Sequence, residues 1–161
     1  MNNTILIKGI IEEDFTNYKK PSMFIWFPQC SFKCEKECGI KCCQNSGLAQ
    51  STTIAIDINK LIDRYLENNL TEALVIGGLE PFDSWDYLYK FINSFRKLSN
   101  DDIVIYTGYY KNEIQDKLNY IKTHKNIIIK YGRFIPNQKL HYDEILGVNL
   151  SSDNQYAEIL H

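Results

Sequence analysis

Five cysteines, Cys30, Cys34, Cys38, Cys42 and Cys43, all fall between Phe27 and Ser46, and the sequence has no others. Thiolates gathered in one loop are a ligand set for a soft metal centre, a description that iron–sulfur clusters and structural zinc both meet. A zinc knot would use Cys30 and Cys34 with two of Cys38, Cys42 and Cys43. An odd number of cysteines in a chain without an export signal argues for free thiolates in a reducing compartment, which reads as cytoplasmic. Cys42 and Cys43 are adjacent and cannot easily both bind one metal, so one of them is expected to be a bystander. His124, His141 and His161 are scattered and read as surface histidines.

A thiolate loop needs a scaffold. The aromatic run Met23–Phe27 reads as a strand that Pro28 ends, so the thiols sit at the C-terminal end of a strand, where ligands bind in α/β folds. Further apolar runs predict strands over Glu72–Ile76, Asp102–Tyr106 and Asn126–Lys130, each followed by glycine: Gly77-Gly78, Gly108 and Gly132. Helices are expected between them. Asp57 is placed to cap a helix striped by Ile58, Leu61, Ile62, Tyr65 and Leu66, closed by Asn68-Asn69. Asp83 or Ser84 caps a second with Trp85, Leu88, Tyr89, Ile92 and Phe95, and Ile114, Leu118 and Ile121 mark a third. Thr4–Ile11 reads as a first or edge strand broken by the polar stretch from Glu12 to Pro21, and residues 51–56 as a short extended piece. Beyond Gly132 the periodicity is weak and predicts no elements.

Alternating strands and helices imply parallel strands joined by right-handed crossovers, with the glycine-marked ends and the cysteine loop on one rim. A closed eight-fold barrel takes about 250 residues, and this chain has 161. The expected object is therefore one α/β domain over residues 1–161, a partial, open-sided barrel. With 44% apolar residues a core can form, and a net charge of −2 gives no basic footprint for nucleic acid. No run approaches the ~18 apolar residues of a transmembrane helix. Residues 1–15 lack the basic segment, long apolar core and cleavage site of a signal peptide.

Several of these stretches are similar to those of the radical S-adenosylmethionine (SAM) superfamily and, within it, of the activating proteins of anaerobic, class III ribonucleotide reductase. Cys30 and Cys34 give the opening C-x3-C after a strand, and Cys43-Gln44-Asn45 resembles the closing Cys-aromatic-Asn. Gly77-Gly78-Leu79-Glu80-Pro81 resembles the Gly-Gly-Glu-Pro element, with Leu79 inserted, and Tyr106-Thr107-Gly108-Tyr109 resembles the fourth-strand end. Tyr131-Gly132-Arg133-Phe134-Ile135 and Ser151-Ser152-Asp153-Asn154-Gln155 resemble the Asp-Gly-x-Phe and Gly-Ser-Ser-Asn-Gln stretches of the activating subunit. The superfamily places its third cysteine two residues after the second, but residue 37 here is Glu. Cys38, Cys42 and Cys43 are the options, and Asn45 after Cys43 favours Cys43. Cys42 stands where the superfamily has an aromatic residue.

The resemblance implies a [4Fe-4S] cluster on Cys30, Cys34 and Cys43 whose fourth iron is chelated by SAM. Gly77, Gly78, Glu80, Pro81, Asn45 and Thr107 would bind SAM, with Glu80 orienting its loop or meeting the ammonium. Reductive cleavage would give a 5′-deoxyadenosyl radical, which takes a hydrogen from a glycine of a large partner enzyme. An electron donor such as flavodoxin or ferredoxin is implied, with no nucleic-acid or membrane partner. Tyr109, Tyr110 and Phe134 are candidates for the docking patch, and Lys130 and Arg133 are either a solvated pair or contacts for the SAM carboxylate or a partner. The competing readings are a stand-alone radical SAM enzyme with another substrate and a zinc-stabilised binding module.

Overall fold

In chain order the elements are β1 (Thr4–Ile7), β2 (Gly9–Asp14), β3 (Ser22–Phe27), β4 (Ile54–Asp57), α1 (Ile58–Glu67), β5 (Ala73–Gly78), a 3-10 turn (Pro81–Ser84) and α2 (Trp85–Arg96). Then follow β6 (Asp102–Tyr106), a second 3-10 turn (Lys111–Glu113), α3 (Gln115–Ile121), β7 (Ile127–Tyr131), β8 (His141–Asp143), β9 (Val148–Leu150) and β10 (Tyr156–Ile159). This computed structural model describes residues 3–29 and 51–160.

The main sheet has the order β10-β7-β6-β5-β3-β2. Its four inner strands, β3, β5, β6 and β7, are parallel and follow one another across the sheet in chain order. Right-handed crossovers between strands added in one direction place every connecting helix on the same face. The buried residues agree. Met23, Ile25 and Phe27 of β3, Leu74 and Ile76 of β5, Ile103 and Ile105 of β6, and Ile127 and Ile129 of β7 share one core with Leu61, Ile62, Leu88, Ile92, Phe95 and Leu118 of the helices. Each fully buried aliphatic side chain there contributes about 1.5–3 kcal/mol. The alternate residues, Phe24, Val75, Val104 and Ile128, form one register row on the other face. They pack with Tyr18, Leu146 and Leu150, from a loop and the β8–β9 hairpin.

The two outer strands of the sheet are antiparallel to their neighbours: β2 to β3, and β10 to β7. The fold is thus mixed α/β with a mixed sheet rather than a purely parallel one. The first apolar run divides at Lys8. β1 pairs with β4 in a separate two-stranded sheet, whereas β2 joins β3 and extends to Asp14, past the expected break at Glu12. β8, β9 and β10 were not expected at all.

Asp57 caps α1 as expected, accepting from the Asn59 and Lys60 amides at 2.8 and 3.2 Å. Ile58, Leu61, Ile62 and Tyr65 of its stripe are buried, but Leu66 is exposed, one position round from the sheet-facing side. α2 starts at Trp85 after a 3-10 turn, and Ser84 makes no side-chain cap bond. At the far end of α2, Arg96 donates to the carbonyls of Ser99, Asp101, Lys125 and Asn126, fixing the turns that lead into β6 and β7.

Candidate functional site

The C-terminal ends of β3, β5, β6 and β7 form one rim. The Glu80 amide, just beyond β5, donates to the Gln29 carbonyl at 2.6 Å, and Gln29 directly precedes Cys30. The far end of the cysteine stretch is anchored at the same corner. Lys8 Nζ donates to the Ser51 carbonyl at 2.5 Å, while the Lys8 amide donates to Trp26 of β3 at 2.7 Å. The chain therefore leaves and re-enters the described fold beside the end of β3. Cys30, Cys34, Cys38, Cys42, Cys43 and Asn45 themselves lie outside the described residues.

The glycines of the β5 end have local reasons. A Cβ on Gly77 would stand 3.0 Å from the Phe24 ring and 3.2 Å from Tyr106 Cβ, so neighbouring side chains fill that space. Gly78 has φ 83, a conformation that side chains disfavour. Leu79, Glu80 and Pro81 follow, all buried.

Glu80 ties the rim together. Its carboxylate accepts from the Phe82 amide at 3.0 Å, the Gly108 amide at 2.7 Å and the Thr107 hydroxyl at 2.9 Å to either oxygen. Burial nevertheless pushes its pKa up to about 7, against the pull of those donors. Thr107 suits both protonation states, because a hydroxyl can donate to a carboxylate or accept from a carboxylic acid. The native state thus holds a proton that an unfolded glutamate releases near pH 4.3 (roughly). The resulting stabilisation, on the order of 3 kcal/mol, is fully present below the unfolded pKa and is lost as pH rises through about 7. Glu80→Gln should flatten this decline, as read by urea unfolding between about pH 5 and pH 8; an unchanged slope would assign the decline to other groups.

A second connection joins β5 to β6: the Tyr109 hydroxyl donates to Asp83 at 2.5 Å. Asp83 is thus engaged across the rim rather than in capping. Beyond β7, Gly132 has φ 105, and its amide donates to the Tyr109 carbonyl at 3.1 Å. The Ser151–Gln155 turn packs on it. Gln155 Oε1 accepts from the Ser151 and Ser152 amides, while Asn154 Nδ2 donates to the Arg133 carbonyl at 2.7 Å and the Tyr110 hydroxyl at 2.8 Å.

Lys130 and Arg133 are both buried, which corrects the expectation of a solvated pair. Lys130 points to the face opposite the helices, 5.6 Å from the Tyr106 ring centre. Arg133 NH1 and NH2 meet the two carboxylate oxygens of Glu113 at 2.7 and 2.5 Å, and the guanidinium lies 4.7 Å from the Tyr110 ring centre. Sequence reasoning missed Glu113. The signal was local: an acid three residues after Tyr110, accepting from the Tyr110 amide at 2.8 Å as in a helix-start box. His124 and His141 are half-buried and engaged with Asn93 and the Gln155 carbonyl, so neither is a free surface histidine.

A cleft of about 400 Å³ lies at the other end of the sheet, where Tyr18 and Lys20 converge on Asp102. It is remote from the rim. Among the described residues no group of three or more His, Cys, Asp or Glu side chains is placed to hold a metal, and no helix is long and apolar enough to cross a membrane.

The described residues define an α/β protein with a mixed sheet, and its sequence carries five thiols between the end of β3 and β4. Residues 21–156 match the family model of the 4Fe-4S single cluster domain, and the chain belongs to that family. That span runs from the entry to β3 to the first residue of β10 and includes the whole cysteine stretch. Comparison with curated proteins and with solved structures found no match. The donor set fits the family: five thiols in one stretch, tethered at both ends to one corner of the rim.

Proposed function

We propose that this protein is a radical SAM activase that generates a glycyl radical in a large partner enzyme of the anaerobic ribonucleotide reductase type. The observation that carries the reading is the bond from the Glu80 amide to the Gln29 carbonyl. It sets the Gly-Gly-Leu-Glu-Pro element against the residue that opens the cysteine stretch, so a ligand held by one would lie beside a cluster held by the other. Parallel strands in chain order with helices on one face are also what a partial barrel of the radical SAM type requires.

In this reading Cys30, Cys34 and Cys43 would hold a [4Fe-4S] cluster beside which SAM would bind. When bound, the cluster supplies the low-potential electron that cleaves the sulfonium carbon–sulfur bond and releases a 5′-deoxyadenosyl radical. The chain's own residues bind and orient. The backbone at Gly77 and Gly78, with Pro81 and Thr107, would border the SAM site, and Asn45, outside the described residues, would contribute to it as the resemblance implies. Glu80, engaged by Phe82, Thr107 and Gly108, sets the shape of that border. A docked partner excludes water from the rim. Phe134, half-buried on the β7 loop, is the better-placed docking residue, since Tyr109 and Tyr110 are tied to Asp83 and Asn154. Free thiols fit a reducing cytoplasm, and flavodoxin or ferredoxin fits the need for one-electron reduction.

Anaerobically reconstituted protein with SAM and reductant should cleave SAM slowly and form no lasting radical. Adding the large anaerobic reductase subunit from the same organism should produce a glycyl radical by EPR. SAM cleavage that stays uncoupled with that partner would instead favour a radical SAM enzyme acting on another substrate. A colourless, zinc-loaded protein would end the reading altogether.

A further inference from the structure

We propose that Arg133 is a positioning residue that locks the β6 and β7 rim loops together through Glu113, rather than a cation that binds the ligand; its effect on ligand rests on the rim being the SAM site. The resemblance offered Arg133 as a contact for an anionic ligand. The geometry points elsewhere. Arg133 is 4% exposed, and its fork meets both oxygens of one carboxylate. A bidentate, charge-assisted pair of this kind is directional and strong.

Five further contacts make the pair a joint between loops. Arg133 NH1 also reaches the Gly108 carbonyl at 3.4 Å. Glu113 accepts from the Tyr110 amide, and the Tyr110 ring lies against the guanidinium. The Arg133 carbonyl accepts from Asn154 at 2.7 Å and Ser152 at 3.4 Å. Gly108 stands at the junction: its amide donates to Glu80, and Glu80 is bonded to Gln29. Continuous hydrogen bonds therefore link the Ser151–Gln155 turn, both rim loops, the Glu80 carboxylate and the entry to the cysteine stretch. Arg133 supplies the side-chain link from the β7 loop to the β6 loop, beside the backbone bond from the Gly132 amide to the Tyr109 carbonyl.

The two roles predict opposite signs for a change at Glu113. If Arg133 binds an anionic ligand, Glu113 competes for it, and removing the carboxylate tightens binding. If Arg133 positions the rim, removing the carboxylate loosens the rim and weakens binding. The experiment uses reconstituted wild-type protein, Glu113→Ala, the milder Glu113→Gln, and Arg133→Lys, which keeps charge but loses the fork. Hydrogen exchange over residues 105–113 and 130–136 should rise by about tenfold or more in Glu113→Ala and Arg133→Lys, and by less in Glu113→Gln. SAM, read by its effect on the reduced cluster's EPR spectrum, should bind several-fold more weakly in the same order, with the overall melting transition retained. Unchanged exchange in both segments overturns the proposal, as does tighter SAM binding in either Glu113 variant. If SAM does not perturb the wild-type cluster, the proposed function fails, and the exchange measurements still decide whether Arg133 joins the loops.

Discussion

Alanine at Cys30, Cys34 or Cys43 should each abolish the SAM-accessible cluster, while Cys38→Ala and Cys42→Ala should keep most of it. Iron and sulfide counts on the five reconstituted variants are the readout. A cluster held by three thiolates has no spare ligand among them, so each loss should be near complete rather than graded. Cys30 follows Gln29 in the sequence, and the Gln29 carbonyl accepts from the Glu80 amide of the β5 loop. Cys43 is the third ligand of the proposed reading because Gln44-Asn45 follows it, as the resemblance implies. Loss of the cluster in Cys38→Ala with retention in Cys43→Ala would reassign the third ligand.

Gly132→Ala should destabilise the fold by at least ~2 kcal/mol, and Gly132→Val by more. Gly132 has φ 105, outside the range side chains tolerate, and a Cβ there would stand 2.8 Å from the Asn154 backbone oxygen. Neither partner can yield cheaply. The Asn154 backbone is held by the Ser151–Gln155 turn, and Gly132 by its bond to Tyr109. Urea unfolding measures the loss. Because the strain falls on the rim, exchange at residues 130–136 should rise before global unfolding. A stability within about 0.5 kcal/mol of wild type would mean that the turn rearranges freely.

The parallel core was legible because its signals are long or doubled. β5, β6 and β7 each carry an apolar run ended by glycine, and α1 carries both a stripe and an Asp57 cap. β8 and β9 span only three residues each and show no usable alternation, so nothing local distinguishes them from loop. The division of the first strand at Lys8 was hidden because both halves are β-prone, and their separation is decided by which strand each one pairs with. At the rim, residue types pointed to the glycines, Glu80 and Thr107, but not to what they touch. The contact of Arg133 with Glu113 joins the β7–β8 connection to the β6–α3 connection, and sequence spacing carries no trace of it.

Strand order has a consequence for synthesis. Because β3, β5, β6 and β7 enter the sheet in the order in which they are translated, each new strand can add to an edge already built, and no strand has to be inserted between two earlier ones. β7 then presents a bare row of amides and carbonyls, the kind of edge on which nascent chains pair with the wrong neighbour. β10 covers that row, running antiparallel from Tyr156 to Ile159. A ribosome stalled shortly before β10 should therefore release a sheet that is nearly complete and unusually sticky, and a few further residues should cure it.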